Sequence, residues 1–175
     1  MLPTKPKIKR AKTADEALAS LMRLCARAER SSGDAIRLMR GWGVAEAEQA
    51  GVLQRLLRER FIDDRRYAEA FVREKCGLSA WGHYKILAAL KRKGISDTII
   101  NDVLSTLSPE ENKSRLTEKL QRKIKSVKYD NAYQLKTKLI RYALSLGFTM
   151  SEVMESVDEI IKQNDIKECD EEIFF

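Results

Sequence analysis

The sequence has few of the residues from which catalytic and metal sites are usually built. It contains three cysteines and one histidine. Cys25, Cys76 and Cys169 form no Cys-x-x-Cys pair that His83 could complete as a metal site, so we read them as reduced thiols. The Gly-Trp-Gly sequence at 41–43 has neither the spacing nor the lysine of a phosphate-binding loop. We therefore expect a protein that is not an enzyme and uses no cofactor or metal.

Long apolar runs and strand patterns are also missing. No stretch of about eighteen uninterrupted apolar residues could span a membrane, and the first residues lack the apolar core of a signal peptide. We expect a cytoplasmic protein with no membrane partner. The β-branched pairs Ile99-Ile100 and Ile160-Ile161 fall inside helical stripes, and no alternating run is bounded by hairpin turns. These patterns predict an all-α fold.

The charge of the chain is positive and unevenly distributed. There are 33 Lys and Arg against 26 Asp and Glu, a formal net charge of +7. This balance favours a polyanion or an acidic protein surface as partner. Residues 1–12 form a basic leader and residues 164–175 an acidic tail, and both are expected to be mobile. The folded middle is therefore more basic than the sum suggests.

The segment 61–95 carries the clearest helix signals. Asp63 and Asp64 stand where short acidic side chains cap the start of a first helix. Helix capping explains these two carboxylates better than metal binding does. A connector is expected from Gly77 to Gly82, followed by a second, lysine-rich helix that Gly94 ends. Ser96 and the residue after it can cap a third helix with an apolar stripe. The segment predicts a module of three helices.

The same module recurs along the chain. Gly94 has counterparts in Gly43 and Gly147, about fifty residues apart, and each glycine precedes a third helix with a matching apolar stripe. Thr13 and Thr149 begin capping-box patterns that support these starts. We expect three tandem, helix-turn-helix-like repeats at 13–61, 62–107 and 108–163, stacked in an elongated, curved array.

Aromatic residues near the helix junctions allow two interpretations. Trp42, Trp81, Tyr84 and Tyr129 could stack on unpaired bases, but packing at helix junctions is the more common role. The basic helix faces are as compatible with solvation as with binding. The basic residues gather on the second helices, at equivalent positions of successive repeats. If the repeats pack in series, these residues could line one side of the molecule.

Two segments resemble the RecX regulatory proteins, which modulate the RecA recombinase. Residues 61–72 (FIDDRRYAEAFV) and 86–95 (ILAALKRKGI) are similar to the most recognisable part of that family. Residues 28–43 resemble its first repeat and residues 139–148 its third, so the resemblance covers about residues 14 to 163. It implies three repeats, in agreement with the periodicity.

The resemblance implies a monomeric, non-enzymatic regulator of DNA recombination, repair and the SOS response. Such a protein would lodge in the groove of a RecA filament on single-stranded DNA and hinder filament growth, ATP hydrolysis and strand exchange. Two other hypotheses remain: a direct helix-turn-helix-like DNA-binding protein and a structural helical adaptor. Asp64, Tyr67 and Phe71 are assigned to architecture. The implied RecA- or DNA-binding residues are Arg73, Lys75, Lys85, Lys91, Arg92, Lys93, Lys119, Arg122, Lys123 and Arg141.

Overall fold

The computed structural model describes residues 10–164. All regular secondary structure in that range is α-helical, which confirms the prediction of an all-α fold. Among these residues no helix is both long enough and apolar enough to cross a membrane. The helices are α1 Ala14–Cys25, α2 Ser32–Gly41, α3 Glu46–Arg58, α4 Asp64–Ser79, α5 His83–Arg92, α6 Asp97–Ser105, α7 Pro109–Ile124, α8 Ala132–Ser145 and α9 Met150–Gln163.

The helix boundaries follow the predicted start and stop signals. Thr13 and Thr149 each head a capping box, with the glutamate three residues later reaching back to the cap amide. Gly43, Gly94 and Gly147 all have a positive φ, of 73°, 76° and 90°, as a helix-ending glycine requires. Local side-chain chemistry therefore sets most of the element ends.

The predicted connector from Gly77 to Gly82 is wrong in its first half. Helix α4 continues to Ser79, and the chain turns only at Ala80, whose φ is 48°. A Cβ added at Gly77 would meet no atom within 4 Å, so this glycine lies on the open surface of the helix. Glycine there costs helix stability only about 1 kcal/mol relative to alanine, and the fold tolerates that cost. The actual connector is three residues long.

The chain divides into two compact units. Unit 1 comprises the described residues up to Ala68 together with Lys91–Ile99, and unit 2 comprises Glu69–Leu90 with the described residues from Ile100 onward. The boundaries of the three repeats stay a prediction. Unit 1 has a core built from α1, α2 and α3, in which Leu21, Met39 and Leu56 are completely buried.

Unit 2 contains the cluster of α7, α8 and α9. Leu116, Leu135, Leu139 and Ile160 are among its completely buried side chains, and α9 packs on both other helices. Each helix presents one apolar stripe to this core and keeps its charged residues outside. The second unit therefore contains a three-helix bundle with its charged side chains on the outside.

The predicted basic leader and acidic tail lie largely outside the described residues, at 1–9 and 165–175. Where the leader enters the described part, Lys12 donates its amide to the carbonyl oxygen of Trp42 at 2.9 Å. Its ammonium group also lies 3.7 Å from the centre of the Trp42 ring. Lys12 therefore rests on the end of α2.

Candidate functional site

The connection between α4 and α5 places two of the predicted lysines around one indole ring. Lys85 Nζ lies 4.8 Å and Lys75 Nζ 5.5 Å from the centre of the Trp81 ring. Phe71 packs against the same ring edge-on, with 6.2 Å between ring centres. A cation over an aromatic face is attracted by the ring quadrupole, by about 0.5–1 kcal/mol at an exposed site. Trp81 thus holds two ammonium groups near each other.

The backbone around Trp81 is fixed by the turn that follows α8. Gly82 donates its amide to Leu146 O at 2.8 Å, and Tyr84 donates to Gly147 O at 3.0 Å. A Cβ on Gly82 would lie 2.5 Å from backbone atoms of Gly147 and Phe148, so only glycine fits this approach. The position of the aromatic ring and its lysines is therefore set by backbone contact.

The last turns of α8 gather two further cations. Lys85 donates from Nζ to the carbonyl oxygen of Ser145 at 2.9 Å, where the negative end of the helix dipole favours a cation. Lys123, on α7, places Nζ 5.2 Å from the centre of the Tyr142 ring. Arg141 is exposed one residue before Tyr142. Because Arg141 and Ser145 are four residues apart, they share one helix face.

Five residues of unit 2 thus form one candidate site, which we call the basic-aromatic surface: Lys75, Trp81, Lys85, Lys123 and Arg141. Its chemistry suits phosphate or carboxylate groups that carry an aromatic or planar neighbour, because cations and an indole face lie together. Among the four cations, Lys75 has a neighbouring carboxylate, Glu74, at 2.6 Å.

The α7 helix carries the remaining third-repeat candidates. Lys119 is half-buried, and Arg122 lies 3.6 Å from Glu118 in a pair exposed on both sides. Exposed ion pairs of this kind contribute little to stability, so the Arg122 guanidinium can still bind another anionic group. Lys113, at the start of the same basic helix, is different because Glu155 and Glu159 lie within 2.9 Å and raise the pKa of its ammonium group.

The predicted run Lys91-Arg92-Lys93 lies in unit 1 and is not a uniform patch. Lys93 Nζ is 3.1 Å from Asp34 Oδ1, and the Asp34 side chain is only 8% exposed. Lys91 lies 3.0 Å from Asp97 in a pair exposed on both sides, and Arg92 is exposed. Lys93 therefore neutralises a buried carboxylate, whereas its two neighbours face solvent.

The other predicted residues of this region have distinct surroundings. Arg73 is exposed on α4. Asp63 caps α4 by accepting from the Arg66 amide at 3.0 Å, and Asp64 accepts from the Ser32 amide at 2.8 Å, at the start of α2. The expected packing of Tyr84 at a helix junction is wrong, because its side chain is 58% exposed. The Tyr84 ring is therefore exposed, and it packs edge-on against the His83 ring, with 5.7 Å between ring centres.

The sequence interpretation missed the partners of the helix-ending glycines. Ser31 Oγ donates to Lys93 O at 2.7 Å, and a Cβ on Gly33 would lie 2.3 Å from that oxygen. In unit 2, Gly82 approaches Gly147 in the same way. Gly33 and Gly82 are themselves about one repeat apart, so the period applied to helix starts would have found them.

The thiols offer no reactive site among the described residues. Burial raises the pKa of both Cys25 and Cys76, which keeps the thiols protonated and poorly nucleophilic. In the same range of the chain, 10–164, no cluster of three or more His, Cys, Asp or Glu side chains could hold a metal ion. Cys169 lies outside the described residues.

Comparison with known proteins decides the family. The family model described as "RecX, second three-helix domain" matches residues 63–104. "Regulatory protein RecX" of Chlorobium phaeobacteroides is 31% identical over 141 residues, which cover 81% of this chain and 91% of that protein. The chain belongs to the RecX family. The matched segment contains Trp81 and both of its lysines.

Other RecX proteins match over a shorter length. The "Regulatory protein RecX" of Clostridium botulinum is 34% identical over 103 residues, or 58% of this chain and 48% of the relative. That of Clostridium acetobutylicum is 33% identical over 65% of this chain and 54% of its own length. The chain therefore spans about half of these two relatives.

Solved RecX structures share the fold. The crystal structure of RecX from Lactobacillus salivarius superposes with a TM-score of 0.72, at 20% identity, over 88% of this chain and 97% of its own. Another crystal structure of regulatory protein RecX gives a TM-score of 0.76, at 21% identity, over 86% of this chain and 73% of its own. These similarities show that the chain shares the fold of these two proteins.

Proposed function

We propose that this protein is a non-enzymatic regulator that binds the groove of the RecA filament on single-stranded DNA. Bound there, it inhibits filament growth, DNA-dependent ATP hydrolysis and strand exchange. Membership in the RecX family carries this proposal. The protein acts in the cytoplasm as a monomer, and its partners are RecA and, directly or through RecA, single-stranded DNA.

The basic-aromatic surface supplies the main contacts in this proposal. Many weak charged contacts spread along a filament add up without one deep pocket, which suits cations displayed on several helices. Lys93 contributes through its ion pair with Asp34 rather than by contact. The proposed contact residues are Arg73, Lys75, Lys85, Lys91, Arg92, Lys119, Arg122, Lys123 and Arg141.

Binding to preassembled RecA filaments on a fluorescent single-stranded oligonucleotide tests this assignment. The variant Lys85→Gln/Lys123→Gln/Arg141→Gln removes three cations of the basic-aromatic surface. Exposed ion pairs contribute about 0.2–1 kcal/mol each, so the loss of three corresponds to roughly 3- to 140-fold weaker binding. Higher salt should narrow the difference from the wild type, because the screening length shortens.

The control is Arg27→Gln/Arg40→Gln/Arg58→Gln, which changes the net charge equally at exposed positions of unit 1. It should bind filaments nearly as well as the wild type. Equal weakening of both variants would mean that only net charge matters and would refute the assigned surface. Tight binding to naked DNA with no binding to filaments would favour the direct DNA-binding alternative.

A further inference from the structure

Helix α8 carries exposed apolar side chains that do not join the core of its bundle. Among residues 10–164, seven large apolar side chains are exposed, and four of them lie on α8 or beside the turn that follows it. These four are Tyr84, Tyr133, Leu144 and Met150. Single exposed apolar residues are ordinary, but several gathered in one place are typical of a binding surface.

The exposed side of α8 follows helical spacing. Tyr133, Thr137, Ile140 and Leu144 recur at steps of four, three and four residues, which places them in one row along the helix. The first and last of them are exposed, and the two between them are half-buried. The fully buried residues of α8 occupy the other side of the helix, against α7 and α9. We call these four residues the outer apolar row.

The row ends close to further exposed apolar groups. Tyr84 donates its amide to Gly147 O at 3.0 Å, and Gly147 donates its own amide to Leu144 O at 2.9 Å. Met150 follows three residues after Gly147, at the start of α9. The backbone therefore brings Tyr84, Leu144 and Met150 to the same end of α8. From Tyr133 to Leu144 the row spans about 17 Å, which is about three helical turns.

Positive charge borders the row on one side. Arg141 is exposed and lies three residues before Leu144, so the two side chains adjoin. Lys85 Nζ lies 2.9 Å from the carbonyl oxygen of the last residue of α8. On the other side of the row, Lys136 is neutralised by Asp158 at 2.9 Å. A partner of this face therefore meets apolar side chains along the row and cations on one edge.

This combination suits a protein helix better than DNA. Most contacts to DNA go to phosphates and sugars, against which aliphatic side chains such as Ile140 and Leu144 gain little. An amphipathic helix instead presents apolar anchors at three- and four-residue spacing, with its charged residues at the edges. Acidic residues on one edge of such a helix are complementary to Arg141 and Lys85.

We propose that the outer apolar row docks an amphipathic helix of RecA whose acidic edge faces Arg141 and Lys85. This inference rests on the proposed function and divides its contacts, because it assigns the row to the protein component of the filament and not to the DNA. About three turns of the partner helix cover the row and exclude water from Tyr133 and Leu144.

Photocrosslinking distinguishes protein from DNA. Tyr133 is replaced by the photoreactive residue benzoylphenylalanine, and the full-length protein is irradiated on RecA filaments assembled on a fluorescent single-stranded oligonucleotide. We expect a crosslink to RecA. The same replacement at Leu57, on α3, is the control and should give far less of this product. Equal yields from the two positions, or crosslinks from Tyr133 to the oligonucleotide or to a second copy of this chain, would overturn the proposal.

Affinity for filaments tests what the row contributes. Leu144→Ser should weaken binding to RecA filaments by about tenfold, because a few buried apolar anchors carry much of the binding energy of a protein interface. The matched control is Leu57→Ser, since the two leucines are 38% and 39% exposed, and it should bind nearly as well as the wild type. Tyr133→Ser repeats the test at a side chain that is 79% exposed, where the substitution does not disturb the core.

Binding to naked single-stranded DNA completes the comparison, and both row variants should match the wild type there. Wild-type affinity of both variants for filaments would refute docking at the row and leave the proposed function intact. Equal losses of filament binding and naked-DNA binding would assign the row to DNA and refute the proposal as well. If the wild-type protein itself binds no filaments, the proposed function fails together with this inference.

Discussion

Two glycines at the starts of second helices set how closely the backbone packs within each unit. Gly33 meets the turn at Lys93-Gly94 in unit 1, and Gly82 meets the turn at Gly147 in unit 2. In both places an added Cβ would come within 2.5 Å of backbone atoms, which cannot move aside as a flexible side chain can. These contacts fix the backbone at Lys93, which Gly33 meets, and close to Lys85, which follows Gly82 by three residues.

Replacing Gly82 with alanine should destabilise unit 2. The new Cβ meets the Gly147 carbonyl at 2.5 Å, and overpacking of this kind costs about 1–3 kcal/mol. Gly77→Ala is the matched control, because its Cβ would meet open space in the interior of α4 and should stabilise by about 0.5–1 kcal/mol. Urea unfolding in a Trp42→Phe background, where the fluorescence comes from Trp81 alone, measures both changes, and an equally stable Gly82→Ala protein would refute the close approach.

The pair between Lys93 and Asp34 gives a second contrast between neighbouring side chains. Asp34 is 8% exposed and is contacted by both Lys93 and Arg37, so removing the ammonium group leaves the carboxylate with one cation. Lys93→Met should therefore lower the free energy of unfolding by about 1–3 kcal/mol. Lys91→Met, which breaks an exposed pair with Asp97, should lower it by less than about 1 kcal/mol.

Thermal and urea unfolding of the two methionine variants distinguish these roles. Equal stability of the Lys93→Met and Lys91→Met proteins would contradict the structural role of Lys93. The sequence predicted that Lys93 belongs to a basic run but could not reveal Asp34, because the two residues are 59 positions apart. Periodicity and capping describe neighbours along the chain, whereas this pair depends on tertiary packing.

The helices themselves were largely predictable, because their boundaries depend on local chemistry. The capping boxes at Thr13 and Thr149 and the positive-φ glycines at 43, 94 and 147 are where the sequence placed them. The end of α4 was not, since Gly77 and Gly82 both resemble helix terminators. Only the tertiary contact of Gly82 with Gly147 distinguishes them.

The capping box of α1 predicts a pH dependence of stability. Glu16 Oε2 accepts from the Thr13 amide at 2.9 Å, and this bond, with help from the Arg10 charge, lowers the pKa of Glu16 below its ordinary value of 4.5. A carboxylate with a lowered folded-state pKa stabilises the fold above its unfolded pKa. Its contribution is lost as the pH falls through the folded-state pKa.

The variant Glu16→Gln keeps the capping geometry but cannot titrate. The difference in unfolding free energy between the wild type and Glu16→Gln should be constant above about pH 5 and should shift against the wild type towards about pH 3. Chemical denaturation at several pH values measures it. A difference that stays flat throughout would show that the carboxylate makes no pH-dependent contribution to α1.

Taken together, the chain is an all-α member of the RecX family whose described residues form two compact units. The repeat period predicted the fold class, and the basic composition predicts an anionic partner. The family resemblance implied Lys75, Lys85, Lys123 and Arg141 as contact residues, but it did not reveal how Trp81 and the end of α8 bring these cations together. That arrangement requires contacts between residues up to 60 positions apart.

The DNA-dependent ATPase rate of RecA from the same organism, on single-stranded DNA, tests the central claim most directly. The protein is added well below the concentration of RecA. A regulator lodged in the filament groove should inhibit hydrolysis at one copy per many RecA protomers, because blocking growth affects more subunits than it contacts. An ATPase rate that stays unchanged, or falls only when the protein matches RecA in amount, would contradict inhibition through the filament.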